Sequence, residues 1–148
     1  MDVGDLAQEV RRLFEELNRR RPEPRPLVSG ECLPLQDVFE TEHTIEFVLD
    51  VPGVMLDACR VMIKAGVVLV VGEKERAEPV HGPASFHLVE RDFGRFARAV
   101  RVHAAVDAAK ARARLKDGEL RIILPKVAER RGREILVTID ADTTPPAG

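Results

Sequence analysis

Residues 113–126 read A-R-L-K-D-G-E-L-R-I-I-L-P-K, and this stretch decides the fold of the 148-residue chain. Apolar and charged side chains alternate on both sides of Asp117-Gly118, and that dipeptide between two alternating runs is a strong signal for a β-hairpin turn. Pro125 then closes the second run. The stretch therefore predicts two antiparallel strands, which a polar spacer separates from a detached apolar segment, I-L-V-T-I at 135–139.

Upstream of this hairpin, the sequence carries more short apolar segments with a period of two. Residues 44–51 place apolar side chains on one face and mostly polar ones on the other, as in a half-buried strand. Residues 67–71, V-V-L-V-V, are apolar on both faces and predict a central strand that is covered on both sides. Short strands with regular turn signals and no alternating helices predict an all-β fold, an antiparallel β-sandwich.

Residues 2–20 follow a helical pattern, with apolar side chains three and four positions apart, aspartates at the start and arginines at the end. Pro22 ends the predicted helix. The narrow apolar stripe of this helix must be buried against another surface. The helix therefore either docks on its own domain or contacts a partner subunit or a non-native client protein. The candidate client-binding residues are Val3, Leu6, Val10, Leu13, Phe14 and Leu17.

A proline-rich stretch at 21–34 separates this helix from the strands, because prolines at every second position favour an extended, semi-rigid chain. The sequence thus predicts three parts. They are a short N-terminal helical arm with its linker at 1–33, the sandwich domain at 34–126 and an extended C-terminal tail at 127–148.

Composition argues against several classes of protein. A formal net charge of -2 gives no reason to expect nucleic-acid binding, and no apolar run approaches the roughly 18 residues of a membrane span. The chain is charged from Asp2 onward, so export is not expected. Cys32 and Cys59 belong to no C-x-x-C motif and are predicted to be free thiols in the cytoplasm.

The sequence offers no chemistry that calls for an enzyme. It lacks the phosphate-binding, dinucleotide-binding, nucleophile-elbow and zinc-protease motifs. Its four histidines, at 43, 81, 87 and 103, are not spaced with carboxylates as metal ligands are. We therefore expect no catalytic residue, no cofactor and no metal ion.

Two features of the segment at 73–102 suggest contacts. The stretch at 73–95 lacks a clear core strand, and its Phe86, Leu88 and Phe93 suggest that this long loop packs against something. Arg98 shares a face with apolar residues of the strand predicted at 96–102. Either a carboxylate or backbone carbonyl groups meet its guanidinium, or the strand twists enough to leave Arg98 in solvent.

The apolar tail segment has two interpretations. It is either the last strand of the sandwich or a tethered peptide that docks on another subunit, by strand addition or in a groove. Head-to-tail docking of that kind builds larger assemblies.

Four short motifs follow one another along the chain. They are D-V-P-G-V at 50–54, L-V-V-G-E-K at 69–74, E-R-D-F-G-R-F-A-R at 90–98 and A-R-L-K-D-G-E-L at 113–120. Their order resembles that in bacterial-type small heat-shock proteins, the Hsp20 or α-crystallin domain family. The last resembles the family's A-x-x-x-n-G-v-L signature, with Glu119 in place of an apolar residue, and an I-x-V motif follows at 135–137. The chain resembles this family over roughly residues 34–139.

The resemblance implies an immunoglobulin-like sandwich and a homodimer-based oligomer that holds partly unfolded client proteins without ATP. It implies that residues 86–90 form a strand exchanged between subunits, with a dimer interface at Phe86, Leu88, Glu90, Phe93 and Arg98. It also implies that the tail docks in a groove of a neighbouring dimer. The tail residues are Ile135, Val137 and Ile139, and the groove residues are Val61, Ile63, Ala113 and Leu115.

The alternative is a non-chaperone interaction module on the same sandwich, either a co-chaperone-like adaptor or a structural assembly component. Such relatives generally lack the exchanged loop and the I-x-V tail. Holding a client needs no catalytic group, because burial of exposed apolar surface is worth about 25 cal/mol per Å².

Overall fold

The computed structural model describes residues 2–20, 32–75, 82, 84–127, 136–139 and 141, which contain one helix and seven strands. In chain order the elements are α1 (Val3–Arg20), β1 (Gln36–Glu40), β2 (Thr44–Asp50), β3 (Cys59–Lys64), β4 (Val67–Lys74), β5 (Gly94–Arg101), β6 (Arg112–Lys116) and β7 (Glu119–Pro125). Short 3-10 turns at Leu56–Ala58 and Ala108–Lys110 precede β3 and β6.

The strands form two antiparallel sheets, one in the order β1-β2-β7-β6 and the other in the order β3-β4-β5. Alternate residues of each sheet point into a shared core, as the period-two pattern requires. The most deeply buried core side chains are Phe47, Leu49, Ile122 and Leu124 from the first sheet and Val68 and Val70 from the second. The predicted antiparallel β-sandwich is confirmed.

The predicted Asp117-Gly118 turn joins β6 to β7. Its two residues have φ values of 52° and 75°, the left-handed conformation of a type I′ turn, which glycine adopts freely and aspartate tolerates. Ala65-Gly66, with φ values of 51° and 74°, makes the same kind of connection between β3 and β4. Both turns match the twist of the strands and fix the register of the hairpins.

The strand that the sequence predicts to be covered on both faces is β4. Residues 67–71 are all buried, with Val68 and Val70 facing the core and Val67, Leu69 and Val71 facing outward. Helix α1 packs on this outward side, so the structure takes the first of the two interpretations of the helix and docks it on its own domain.

Helix α1 begins with a capping contact. The backbone N–H of Asp5 donates to the side-chain carboxylate of Asp2 at 2.9 Å, which satisfies one of the free N–H groups of the first turn. This hydrogen bond lowers the pKa of the Asp2 carboxyl below its ordinary value.

Residues 32–35 tie the two sheets together at one end of the sandwich. The N–H of Cys32 donates to the carbonyl of Arg95 in β5 at 3.1 Å, and the N–H of Asp50 in β2 donates to the carbonyl of Leu35 at 3.0 Å. Pro34 between them is buried. Residues 84–93 contain no helix or strand.

Candidate interaction surfaces

Val61, Ile63 and Leu115 are predicted to line a tail-docking groove, and they lie on the inward faces of β3 and β6, each of which is the strand at one edge of its sheet. Val61 and Ile63 lie opposite Val70 and Val68 in the β3–β4 pairing, so all four face the core side. Leu115 lies opposite Leu120 in the same way. Val61, Ile63 and Leu115 are half-buried and pack against the core cluster, as does Ala111, which the sequence prediction did not include.

Ala113, the fourth predicted groove residue, lies opposite the buried Ile122 and therefore on the same inward face, but it is exposed to solvent. Three of the four predicted groove residues are therefore half-buried beside the core, and the fourth is exposed. Edge strands of this kind have unpaired backbone groups that can accept another strand.

The tail residues that the structure describes lie outside the sheets. Leu136, Val137 and Ile139 are 87%, 81% and 94% exposed. Ile135 lies outside the described residues. Within the described part of the chain, the tail segment is therefore not a strand of its own sandwich, which removes one of its two interpretations for this single chain.

The predicted exchange segment at 86–90 is exposed along its whole length, with Phe86 and Leu88 at 60% and 72%. Phe93, just after it, is half-buried, and the guanidinium of Arg91 and the ammonium of Lys74 lie 5.1 and 5.6 Å from its ring centroid. The segment's apolar side chains are thus not buried within this single chain.

The other edge of the four-stranded sheet is β1. Among the described residues, β1 pairs on one side only, with β2, and its Val38 and Phe39 are 44% and 40% exposed. This edge offers backbone hydrogen-bonding groups and apolar side chains to an added strand.

Arg98 lies near this end of the sandwich. It is half-buried and its Nη1 donates to the backbone carbonyl of Pro34 at 3.4 Å, so the predicted carbonyl contact of the guanidinium is found. Phe96 and Val100, two residues away on either side, face the core, which places Arg98 in the apolar row as predicted.

The apolar stripe of α1 is covered by the β3–β4–β5 sheet. Leu13 and Leu17 are buried against Leu69 and Val71, and the half-buried members of the same cluster are Leu6, Val10, Phe14 and Met62. Val3, the first of the predicted client-binding residues, is in the helix, but its side chain lies outside the described part of the structure. The other five predicted residues therefore face the protein itself in this structure.

Charged contacts surround this docking interface. Lys64 donates to Glu9 at 2.6 Å and Arg60 donates to Glu16 at 3.1 Å. On the opposite side the guanidinium of Arg95 lies 4.6 Å from the ring centroid of Phe14, a cation–π contact. The hydrogen bond from Lys64, followed by one from Arg12, lowers the pKa of the Glu9 carboxyl below its ordinary value.

The thiols of Cys32 and Cys59 are the next side chains to consider for chemical reactivity. Burial raises the pKa of Cys59 to about 11 and also raises that of Cys32, so both are held in the unreactive protonated form at neutral pH. Neither forms a disulfide.

Across the described residues, His, Cys, Asp and Glu side chains form no group that could hold a metal ion. The same residues include no helix long and apolar enough to cross a membrane.

Comparison with known proteins places this arrangement in one family. Residues 37–140 match the model of the Hsp20/alpha crystallin family. Heat shock protein 16 of Schizosaccharomyces pombe is 30% identical over 121 residues, which cover 80% of this chain and 83% of that protein. The 21.9 kDa heat shock protein of Oryza sativa is 35% identical over 120 residues, which cover 76% of this chain and 56% of that protein.

Solved structures of two heat shock proteins superpose on this chain. Heat shock protein 16.0 of Schizosaccharomyces pombe superposes with a TM-score of 0.61 at 28% identity, covering 74% of this chain and 100% of that one. A small heat-shock protein from Xylella fastidiosa, which forms a distinct high-order structure, superposes with a TM-score of 0.60 at 27% identity. The match covers 73% of this chain and 98% of that one.

Sequence reasoning missed the partner surface of α1. The outward residues Arg60 and Lys64 of β3 look like ordinary solvated charges in the sequence, yet each meets a glutamate of the helix. The available signal was the unbroken apolar run at 67–71, whose outward half required a cover.

Proposed function

The chain belongs to the Hsp20/alpha crystallin family, and from that premise we propose that it is an ATP-independent holdase chaperone. Members of this family, the small heat-shock proteins, are generally chaperones, and the relatives in yeast and rice are heat shock proteins. In this proposal the protein binds partly unfolded clients through apolar surface and keeps them from aggregating, in the cytoplasm and without a cofactor.

The observation that carries the proposal is the docking of α1. One amphipathic helix covers an apolar sheet face, with Leu13 and Leu17 against Leu69 and Val71. Release of the helix would expose two apolar surfaces at once, the stripe of α1 and the outer face of β4. A few hundred Å² of client surface buried there is worth several kcal/mol at about 25 cal/mol per Å².

The docked helix is suited to reversible release. Most of the stability of a helix in a protein comes from packing of its amphipathic face, so α1 depends on its contact with the sheet. Two ion pairs at the rim of the contact are partly exposed to solvent, and ion pairs in contact with solvent contribute about 1 kcal/mol or less each. Binding by α1 residues Leu6, Val10, Leu13, Phe14 and Leu17 therefore requires that the helix first leave the sheet.

A dimer formed by segment exchange is part of the proposal. The exposed apolar residues at 86–89 need a cover, and the open edge of β1 needs a partner strand. Addition of this segment to β1 of a second copy would satisfy both. Arg98, held at the carbonyl of Pro34, lies at the end of the sandwich next to that edge.

Higher assembly would use the tail. Val137 and Ile139 of the tail are exposed, and the apolar residues Val61, Ile63 and Leu115 on the inward faces of β3 and β6 would form the floor of the groove. Insertion of the tail into the groove of a neighbouring dimer is a heterologous contact, which links dimers into larger species. A non-chaperone adaptor on the same sandwich would need neither the tail nor a releasable helix, so this alternative is not favoured.

The test of the holdase function is light scattering by a heat-labile client protein across a temperature series, without nucleotide. The purified chain should suppress aggregation in proportion to its amount and become more effective as temperature rises and α1 is released. Aggregation that proceeds unchanged at equimolar chaperone would contradict the proposal, whatever the oligomeric state.

The tail is tested by Ile135→Ala with Val137→Ala, and Leu136→Ala serves as the matched control because it lies between them. The double variant should lose species larger than a dimer, since two apolar side chains no longer fill the groove, whereas the control should keep them. Multi-angle light scattering measures both. An unchanged oligomer in the double variant would contradict tail docking.

A further inference from the structure

The outer face of the β3–β4–β5 sheet has a regular arrangement of side chains, which we call the outer trough. Val67, Leu69 and Val71 of β4 form its apolar floor and are 6%, 0% and 0% exposed, and Leu69 and Val71 pack against α1. Met62 of β3 lies opposite Leu69 on one side. Ala97 and Ala99 of β5 lie opposite Val71 and Leu69 on the other side, and both are exposed.

Cations lie at the four corners of the outer trough. The strand pairing puts Arg60 and Lys64 of β3, and Arg95 and Arg101 of β5, on the same face as the apolar floor. The carboxylate on that face is Glu73 of β4, which is buried at one end, opposite Arg95. The outer trough is therefore an apolar strip inside a mostly positive frame.

The helix seated in the outer trough shows what fits it. Glu9 and Glu16 of α1 are seven residues apart, about 10.5 Å along a helix. Their partners Lys64 and Arg60 are four residues apart, about 13 Å along a strand, and the long basic side chains bridge the difference. Leu13, between these pairs, and Leu17, just after the second pair, pack on Leu69 and Val71 of the apolar floor. The recognised pattern is an apolar helical stripe flanked by two carboxylates two turns apart.

We propose that the outer trough is a binding site for amphipathic helical segments of non-native client proteins that carry carboxylates beside the apolar stripe. Helix α1 is the built-in occupant that such a segment displaces. The proposal rests on the holdase function and adds a preference to it. Apolar burial alone does not distinguish clients, whereas the positive frame favours helices with acidic flanks and disfavours basic ones.

The experiment uses the full chain with α1 loosened but its stripe intact, as Glu9→Gln with Glu16→Gln. Glu15→Gln is the matched control, since Glu15 is an exposed glutamate of the same helix. The probes are two fluorescent 18-residue helices with one leucine stripe, one with glutamates seven residues apart beside the stripe and the other with glutamines there. Each also carries a photo-crosslinking group.

We expect the glutamate probe to bind the double variant about tenfold more tightly than it binds the unaltered chain or the control, because the competing helix is docked for less of the time. The glutamine probe should bind the double variant more weakly than the glutamate probe, and added salt should remove this difference. Crosslinks of the glutamate probe should fall on the outward residues Met62, Leu69 and Val71, and not on the inward residues of β3.

Three results would overturn the proposal. The two probes could bind equally well, the glutamate probe could bind the variant and the unaltered chain equally well, or the crosslinks could fall in the proposed groove between β3 and β6. Crosslinking of α1 to a second copy in the double variant would also overturn it, since that result would make that copy the occupant. The unaltered chain is assayed in parallel with a heat-labile client. Failure of probe binding with client suppression intact rejects the outer trough alone, whereas loss of suppression rejects the holdase function.

Discussion

The two sheets of the sandwich share one core but have opposite outer faces. On the β1–β2–β7–β6 sheet, Arg121 of β7 lies 3.4 Å from Glu46 and 3.3 Å from Glu119, so that face carries its own network of charges. On the β3–β4–β5 sheet, Leu69 and Val71 are completely buried on the outward side, and α1 is what buries them. The outer face of the β1–β2–β7–β6 sheet carries charged side chains that pair with one another. The outer face of the β3–β4–β5 sheet is apolar and is covered by α1.

This difference explains how a stable sandwich can have a removable cover. The core between the sheets is built from both inward faces and does not include α1. Loss of the helix would expose the outward half of β4 but leave the inward packing of Val68, Val70 and Phe47 in place. A chaperone of this kind can thus expose apolar surface without unfolding its own core.

The largest expected difference between the outer faces of the two sheets is in the free energy of unfolding, when one central outward residue of each sheet is truncated to alanine. Leu69→Ala should lower the free energy of unfolding by about 2–5 kcal/mol, because it leaves a cavity beneath Leu13 and Leu17. Val48→Ala, on the half-buried outward row of β2, should cost about 1 kcal/mol or less. Urea denaturation measures both, and equal costs would contradict the difference between the faces.

A smaller effect is expected from the ion pair between α1 and β3. A double-mutant cycle with Glu16→Ala and Arg60→Ala should give a coupling energy of about 0.5–1 kcal/mol, because the two side chains are only 26% and 32% exposed. The same cycle for Glu46 and Arg121 should give less, because their separation is longer. High salt should reduce both couplings, and zero coupling between Glu16 and Arg60 at low salt would contradict the contact.

The smallest expected effect is a pH dependence of helix docking through Glu9. Contact with Lys64 and Arg12 holds the pKa of Glu9 below its ordinary value of 4.5. The charged carboxylate therefore favours the docked state above pH 4.5, and this contribution is lost as the pH falls through the lowered value. Binding of an apolar dye should rise over that acid range, and less so in Glu9→Gln, where this carboxyl is missing. An identical pH profile in the variant would contradict the role of Glu9.

Much of the fold could be predicted from local patterns. The Asp117-Gly118 turn, the alternation at 44–51 and the doubly apolar run at 67–71 each depend on neighbouring residues alone, and each is found as predicted. Arg98 meets a backbone carbonyl as expected from its place in an apolar row. Such features follow from backbone geometry and from the cost of burying an unpaired charge.

The contacts between α1 and the sheet could not be predicted in the same way. Glu9 and Lys64 are 55 residues apart in the chain, and a surface charge in a sequence looks the same whether it is solvated or paired. The sequence showed that the stripe of α1 and the outward half of β4 each needed a cover, but it did not show that they cover each other. The predicted exchange segment at 86–90 likewise depends on a second chain, so its role stays a prediction.

The central claim is that α1 must leave the β3–β4–β5 sheet before the protein can hold a client. It is tested most directly by joining positions 16 and 60, as Glu16→Cys with Arg60→Cys, through a short reducible thiol-to-thiol bridge in a Cys32→Ala, Cys59→Ala background. The account predicts that the bridged protein stays folded but loses suppression of client aggregation on heating, and that reduction of the bridge restores it. Equal suppression by the bridged and reduced forms would contradict the claim.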